Sequence, residues 1–263
     1  MRLKLVSPLA ALLILASVTH AADVQGVLGR VRNRIETSDY RATGQLVRVD
    51  ANGNRISYAV SVKGLWFAGA LHTLVDIVPP KNPAAPTEKP VRILLETRAN
   101  GQDSIRIFRP HESASISLPF EKWDDGVLGG GFSYEDLLEP EYFWSGQTIL
   151  KSANFGAHHC NVLKSTPGPS DRSHYADVQT WLDQVIDYPV YAEKLMKSAG
   201  TVKEFTYYGL RQSSGVWSAT QIEAKIRGRA GSTLLIVKRG SAKANLGAGD
   251  FSSERISHFE DRP

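Results

Sequence analysis

The sequence predicts a mainly β protein with a few helices, an α+β chain built on one large antiparallel sheet. Apolar and polar residues alternate with a period of two over many short segments. Turns separate these segments, and most of them follow one another without a helix between them, which argues against a parallel βαβ fold. A sheet of this size must curl to shield its apolar face from water.

The first predicted element is an amphipathic helix over residues 23–36. Its apolar residues recur at spacings of three and four, the period of a helix with one buried face. They are Val24, Val27, Leu28, Val31 and Ile35. Asp23 precedes them and is placed to cap the helix.

Residues 41–49 and 55–63 are predicted to be the first two strands. In the second of them, four apolar residues alternate with polar ones, as in a strand with one dry face. The connection contains Asn52 and Gly53, a pair that supplies the positive φ angles of a tight hairpin. The two strands are therefore expected to pair antiparallel.

The same alternation, bounded by turn residues, predicts the remaining strands and brings their number to about a dozen. They are placed at residues 65–78, 91–98, 104–109, 113–118, 142–151, 158–165, 175–183, 190–196, 202–210, 216–227 and 232–239.

Two segments interrupt the strands. Residues 79–90 hold five of the thirteen prolines and form a surface excursion, either an extended loop or a partner-docking loop. The other segment begins with three glycines at 129–131 and continues as a short helix over 133–138. Ser133 is placed to cap this helix, and Asp136 can reach back to it. A hinge followed by a short apolar helix is what a lid over a concave sheet requires.

The N-terminus has the order of a secretory signal peptide. Arg2 and Lys4 precede an apolar run that is shorter than the roughly 20 residues of a membrane span, and small residues follow it. We expect residues 1–21 to be removed and residues 22–263 to form one domain in the periplasm. Cys160 is the only cysteine, so the domain has no internal disulfide.

Charge gives little reason to expect nucleic-acid binding. Without Arg2 and Lys4, 29 basic residues stand against 27 acidic ones, because the whole chain has 31 and 27. The balance of about +2 is spread along the chain with no dense basic block. A nucleic-acid partner is therefore not expected.

The sequence also gives little support for catalysis. It contains no Gly-x-Ser-x-Gly elbow, zincin helix or phosphate-binding loop. His158 and Cys160 can share one face of a strand, but two ligands make a poor zinc site. A hydrolase would need a nucleophile and a base close together, for example beside His72, His158 or His174. We therefore expect no enzyme, no cofactor and no metal.

Several motifs occur together in this chain. The strongest is Phe-Ser-Tyr-Glu-Asp-Leu at residues 132–137, combined with Trp-Leu-Asp at 181–183. Together they resemble the outer-membrane lipoprotein-sorting family, the LolA/LolB-like periplasmic carriers. The order of the other matching segments follows the family as well. These are residues 76–81, 160–163 with Pro167, and 199–203.

The resemblance implies a curled antiparallel half-barrel of about eleven strands, covered by short helices. It also implies a cavity that carries a lipid or an acylated lipoprotein in outer-membrane trafficking. Strand parity adds twelve candidate lipid-binding residues. They are Val60, Val62, Phe67, Ile93, Leu95, Ile105, Ile107, Tyr134, Leu137, Trp144, Val178 and Trp181.

A filled core is the alternative to a cavity, because inward Val, Ile and Leu look the same in the sequence in either case. With a filled core, the chain would be an accessory module that carries nothing. It would dock onto an inner-membrane transporter through residues 79–90.

Overall fold

The computed structural model describes residues 23–80, 89–110, 112, 114–198 and 200–257. The predicted signal peptide, residues 1–21, lies outside the described residues, as does most of the proline-rich segment at 79–90. Within the described part of the chain, the strands form one sheet of thirteen and a separate two-stranded hairpin.

The described elements are two α-helices and fifteen strands, with short 3-10 turns between β6 and β7 and one more before α2. The helices are α1 (Val24–Glu36) and α2 (Ser253–Ser257). The strands are β1 (Asp39–Val49), β2 (Arg55–Phe67), β3 (Ala70–Val78), β4 (Val91–Arg98), β5 (Ser104–Phe108), β6 (Ile116–Ser117), β7 (Gly146–Phe155), β8 (His158–Thr166), β9 (Tyr175–Asp183), β10 (Pro189–Met196), β11 (Val202–Tyr208), β12 (Arg211–Ser213), β13 (Val216–Ser218), β14 (Gln221–Ile226) and β15 (Ser232–Ala242).

The large sheet is antiparallel throughout, in the order β6-β5-β4-β3-β2-β1-β15-β14-β11-β10-β9-β8-β7. Most neighbours in the sheet are also neighbours in sequence, as hairpin connections require. The sheet is open and curled, so the predicted mainly β class and half-barrel architecture are confirmed.

Helix α1 lies against the concave face of the sheet. The Asp23 carboxylate accepts hydrogen bonds of 3.1 Å from the backbone N–H groups of Gln25 and Gly26, which confirms the predicted cap. The apolar stripe is buried as its spacing predicts. Val27, Leu28, Val31 and Ile35 pack with Tyr142, Leu163 and Leu182.

The first hairpin confirms the predicted pairing of β1 with β2. Gly53, at φ +83°, supplies the positive angle, whereas Asn52 does not. The Asp50 carboxylate holds the turn by accepting hydrogen bonds of 2.8 Å from the backbone N–H groups of Asn52 and Asn54.

Four predicted strands have the wrong limits, and the one at 113–118 shortens to the two residues of β6. The strand at 65–78 is a hairpin, because Ala68 and Gly69 take φ angles of +50° and +75° and turn the chain. The strand at 216–227 is likewise two strands, β13 and β14. The strand at 142–151 starts only at β7, after a 3-10 turn. Apolar residues continue up to or across these boundaries, so the pattern along the chain did not reveal them.

Apolar side chains cover both faces of the sheet. On the convex face, Phe67, Leu74, Leu94 and Phe108 form one cluster with Ile256 of α2. Leu74 and Leu94 alternate with Val75, Ile93 and Leu95, which belong to the concave cluster. No helix among the described residues is long and apolar enough to cross a bilayer.

Candidate functional site

The concave face is filled along β4 and β5. Segment 118–138 crosses this part of the sheet and packs its apolar side chains into it. The buried residues that meet there include Ile93, Leu95, Ile105, Ile107, Trp123, Val127, Phe132 and Leu138. This half of the interior is a solid core.

The middle of the concave face, around β1, β2, β11, β14 and β15, is covered but not filled. A cavity of about 340 Å³ lies there, beneath segment 127–139, the end of α1 and the β12–β13 hairpin. Large apolar side chains form most of its wall. Examples are Leu46, Val60, Val62, Leu137, Phe205, Ile222 and Leu235. The volume is within the roughly 300–1,000 Å³ that small-molecule sites occupy.

Several polar side chains also reach this cavity. Arg34, from the last turn of α1, holds its guanidinium carbon 4.6 Å from the centroid of the Tyr188 ring. Glu139 is half-buried and takes a left-handed φ of +49°. Burial raises the pKa of the Glu139 carboxyl, and the nearby Glu141 raises it further.

A buried ion network lies beside the cavity and is centred on Asp136. The Lys203 ammonium donates to the Asp136 carboxylate at 2.9 Å, and the Tyr175 hydroxyl donates at 2.7 Å. The Lys194 ammonium lies 3.6 Å from Asp136 and 3.0 Å from Glu141. Burial alone would raise the pKa of Asp136, but the two ammonium groups outweigh it and lower the pKa to about 2.

The predicted cap of the short helix is present. The Ser133 hydroxyl and backbone N–H each donate to the Asp136 carboxylate at 2.8 Å, and the Asp136 backbone N–H donates to the Ser133 hydroxyl. The helix itself is only a 3-10 turn, Glu135–Leu137. Capping therefore explains part of the role of Asp136, and the two lysines explain the rest.

Glu135 ties the same turn to the loop before β9. Its side chain is fully buried and accepts a 2.5 Å hydrogen bond from the Ser173 hydroxyl. It also accepts bonds from the backbone N–H and the Nδ1 of His174, the latter at 2.9 Å. The predicted lid is thus fastened to the sheet by buried charges, and its opening about the glycines stays a prediction.

Sequence reasoning missed the two lysines of this network, although a signal was present. Lys194 shares its strand face with the buried Val190 and Ala192, and Lys203 shares its face with the buried Phe205. A lysine at an apolar position is almost never buried without a partner. Such a position indicates a carboxylate opposite.

The twelve predicted lipid-binding residues fall into separate groups. Val60, Val62 and Leu137 line the cavity. Five belong to or pack against the solid core, namely Ile93, Leu95, Ile105, Ile107 and Tyr134. The structure therefore brings these eight to one face of the sheet but opens only three of them to the cavity.

The other four lie away from the cavity. Trp144 and Val178 pack with Tyr175 in a small cluster of their own. Phe67 and Trp181 lie on the convex face. Phe67 stacks on His72 with 3.8 Å between the ring centroids, and Trp181 contacts Tyr191 edge-on with 5.1 Å between the ring centroids. Strand parity gives the spacing of side chains but does not say which face becomes concave. A lipid-binding role for all twelve stays a prediction.

A second cavity of similar volume lies under the glycines at 129–131. Much of its wall consists of backbone and polar side chains from residues 48–54 and 225–233. It lacks the continuous wall of large apolar side chains that distinguishes the first cavity. We therefore take the first cavity as the candidate site.

Cys160 has the surroundings of a structural thiol. Burial raises the pKa of Cys160 to about 11, which keeps the thiol protonated, and the thiol donates to the His158 carbonyl. The imidazoles of His158, His72 and His174 bond to carboxylates or backbone carbonyls. In the described ranges, none of these three bonds to a hydroxyl or a thiol, and no three metal-ligating side chains cluster.

Comparisons with known proteins agree on the architecture. A family model described as "uncharacterized protein" matches residues 83–258. An outer membrane lipoprotein-sorting protein domain from Vibrio parahaemolyticus has a similar structure, with a TM-score of 0.77, 19% identity, and coverage of 89% of this chain and 97% of that one. No curated protein matches the chain.

Two further solved structures are similar. A DUF1329 family protein from Desulfovibrio piger has a TM-score of 0.74 and 15% identity, and the match covers 89% of this chain and 98% of that one. A LolA superfamily protein from Nitrosomonas europaea has a TM-score of 0.65 and 18% identity, with coverage of 89% and 99%. At these identities the likeness shows a common fold.

Proposed function

Because the chain belongs to the family whose model spans residues 83–258 and has the LolA-like fold, we propose that it binds a lipid or an acylated protein in its cavity. Binding is non-covalent and serves outer-membrane lipoprotein or lipid trafficking in the periplasm. The observation that carries the proposal is the unfilled, apolar middle of the concave face.

The physical requirement for such a carrier is shelter for hydrocarbon. Moving an acyl chain from an apolar site into water costs about 0.8 kcal/mol of free energy per methylene. A site that buries a chain of roughly fifteen carbons must therefore offset about 12 kcal/mol through apolar contact. A filled core cannot supply this contact. The wall that includes Leu46, Val62 and Leu235 supplies apolar surface without filling the space.

The structural neighbours support the trafficking role. One of them carries the description of an outer membrane lipoprotein-sorting domain, and another belongs to the LolA superfamily. A transporter partner on the inner membrane would receive or load the cargo. The rival proposal, a docking module that carries nothing, rests on residues 79–90, most of which lie outside the described residues.

Native mass spectrometry and lipid extraction of the protein purified from its own periplasm test the proposal. Reproducible co-purifying lipid is the expected result. Protein that is purified without bound lipid and does not bind fluorescent fatty acids would contradict the carrier proposal and favour the docking module.

Replacing Leu137 with Asp should weaken the uptake of a fluorescent fatty acid by about tenfold or more. The new carboxylate would face the cavity, where the leucine offers apolar contact worth about 1.5–3 kcal/mol when covered. Leu150→Asp is the matched control, because Leu150 is exposed on β7 away from the cavity. Equal uptake by Leu137→Asp and wild type would contradict the proposed binding surface.

A further inference from the structure

The polar part of the cavity wall carries positive charge that the protein leaves unpaired. Arg34 and Arg211 both line the cavity, and neither guanidinium forms an ion pair with a carboxylate of the described residues. The Nε of Arg34 is buried and has no hydrogen-bond partner in the described part of the chain. Arg211 is exposed on the β12–β13 hairpin, at the opening.

The other ionisable groups of the wall do not cancel this charge. Lys194 forms ion pairs with Asp136 and Glu141, and Asp136 forms a second ion pair with Lys203. Arg41 lies opposite Lys63 on the convex face, where its charge acts on Asp250, so it does not add to the charge of the cavity. Glu139 is the remaining carboxyl; it forms no ion pair within the described ranges, although the charges of Lys194 and Arg34 favour its ionised form and partly oppose the rise of its pKa on burial. The wall therefore has two guanidiniums, Arg34 and Arg211, and one carboxyl, Glu139, that form no ion pair within 4 Å in the described part of the chain.

We propose that the ligand of this cavity is a single-chain anionic amphiphile, whose carboxylate or phosphate accepts hydrogen bonds from Arg34 and Arg211. This inference rests on the lipid-binding function proposed above. The chain lies against the apolar wall formed by residues such as Val62 and Leu235. A volume of about 340 Å³ is near the lower end of the usual range of ligand sites and suits one chain better than several.

The guanidinium group suits this task for two reasons. Its planar set of N–H donors matches the oxygens of a carboxylate or a phosphate, and such charge-assisted bonds are about twice as strong as neutral ones. The ring of Tyr188 beneath Arg34 holds the guanidinium in place before the ligand arrives. A fixed donor loses less side-chain freedom on binding.

The experiment compares three ligands that share one palmitoyl chain: palmitate, palmitoyl lysophosphatidate and methyl palmitate. Each competes against a fluorescent probe for the full-length mature protein. The wild type should bind at least one of the two anions about tenfold or more tightly than the uncharged ester. Palmitate and lysophosphatidate then distinguish a carboxylate ligand from a phosphate ligand.

Arg34→Gln and Arg211→Gln should each lower the affinity for the anionic ligand relative to the affinity for methyl palmitate. For Arg34→Gln the reduction should be about tenfold. The affinity for methyl palmitate itself should stay the same. Arg55→Gln removes the same charge from an exposed site on β2 outside the cavity and should change nothing. Circular dichroism and the retained binding of the ester show that each variant is folded. Because Arg211 is exposed, its variant tests the inference even if Arg34→Gln does not fold.

Glu139→Gln should act in the opposite direction. Removing the carboxylate removes a repulsion, so the affinity for the anion should rise about threefold, with no change for the ester. A lower anion affinity in this variant, or an unchanged preference in both arginine variants, would overturn the inference. Equal binding of all three ligands by the wild type would also overturn it and leave lipid binding standing. If none of the three binds, the proposed function itself fails.

Discussion

At the scale of single residues, Asp136 fastens segment 118–138 to the sheet. It is buried and receives hydrogen bonds from Lys203, Tyr175 and Ser133, which lie on β11, β9 and the segment itself. Two ammonium groups beside one carboxylate offset the cost of burying its charge. The segment and the strands are thereby fixed to each other at one point.

Asp136→Asn should lower the free energy of unfolding by about 3–5 kcal/mol, because it leaves Lys203 and Lys194 buried beside a neutral amide. Urea denaturation measures the change. Asp187→Asn is the matched control, since its partner Arg30 is exposed and surface pairs contribute about 1 kcal/mol or less. Similar losses in both variants would show that the buried network is no stronger than a surface pair.

Asp136 should also shape the stability of the protein in acid. Its pKa in the folded protein, about 2, is lower than the roughly 3.9 of an unfolded aspartate. The unfolded chain therefore binds the proton first, and stability from this group is present above about pH 4 and is lost as the pH falls toward 2. Between pH 5 and 2, the free energy of unfolding should fall more steeply with decreasing pH for the wild type than for Asp136→Asn. The same dependence on pH in both proteins would mean that the carboxylate is not held in its charged form.

At the scale of elements, β1 pairs with β15 through an irregularity in the middle of the sheet. The pairing shifts between Thr43 and Gly44, a bulge at which a strand bends and twists. A Cβ atom on Gly44 would lie 1.8 Å from the backbone oxygen of Ile236. Only a glycine allows this approach, and both strands line the cavity.

Gly44→Ala should therefore destabilise the protein by about 1–3 kcal/mol, the usual cost of overpacking. Gly29→Ala is the control with the opposite sign. Its Cβ meets nothing within 4 Å on α1, and alanine favours a helix, so this variant should gain about 0.4–1 kcal/mol. Thermal unfolding of the two variants gives both signs in one experiment. A neutral Gly44→Ala would show that the bulge tolerates a side chain.

At the scale of the whole molecule, the concave face divides into a packed part and an open part. Segment 118–138 fills the space above β4 and β5, whereas the middle strands, with β3 at their edge, keep a cavity. Stability and binding are thus expected to reside in different parts of one sheet. An apolar side chain is expected to stabilise the fold in the packed part and to contact the ligand in the open part.

This division predicts opposite effects for two truncations. Ile93→Ala removes a fully buried side chain from the packed part and should cost about 2–5 kcal/mol, with unchanged fatty-acid affinity at low temperature. Val62→Ala removes a half-buried side chain from the cavity wall and should cost less stability but weaken fatty-acid binding. Denaturation and probe displacement separate the two effects. If both variants lose stability and affinity alike, the two parts are not independent.

The sequence by itself determined what depends on neighbours along the chain. The period of two predicted the strands, the spacing of Val27, Leu28 and Val31 predicted α1, and the turn at Gly53 predicted the first pairing. The cap between Ser133 and Asp136 is also local. These features follow from backbone geometry and hydrogen bonding within a few residues.

Only the tertiary structure decided which sheet face is concave, where the interior is filled, and what surrounds each charge. Phe67 and Val62 lie in the same strand, yet only Val62 reaches the cavity. Lys203 meets Asp136 across 67 residues of chain. Such contacts depend on how the sheet curls and on the order of the strands within it. A contact between residues that are distant in sequence produces no periodic pattern along the chain.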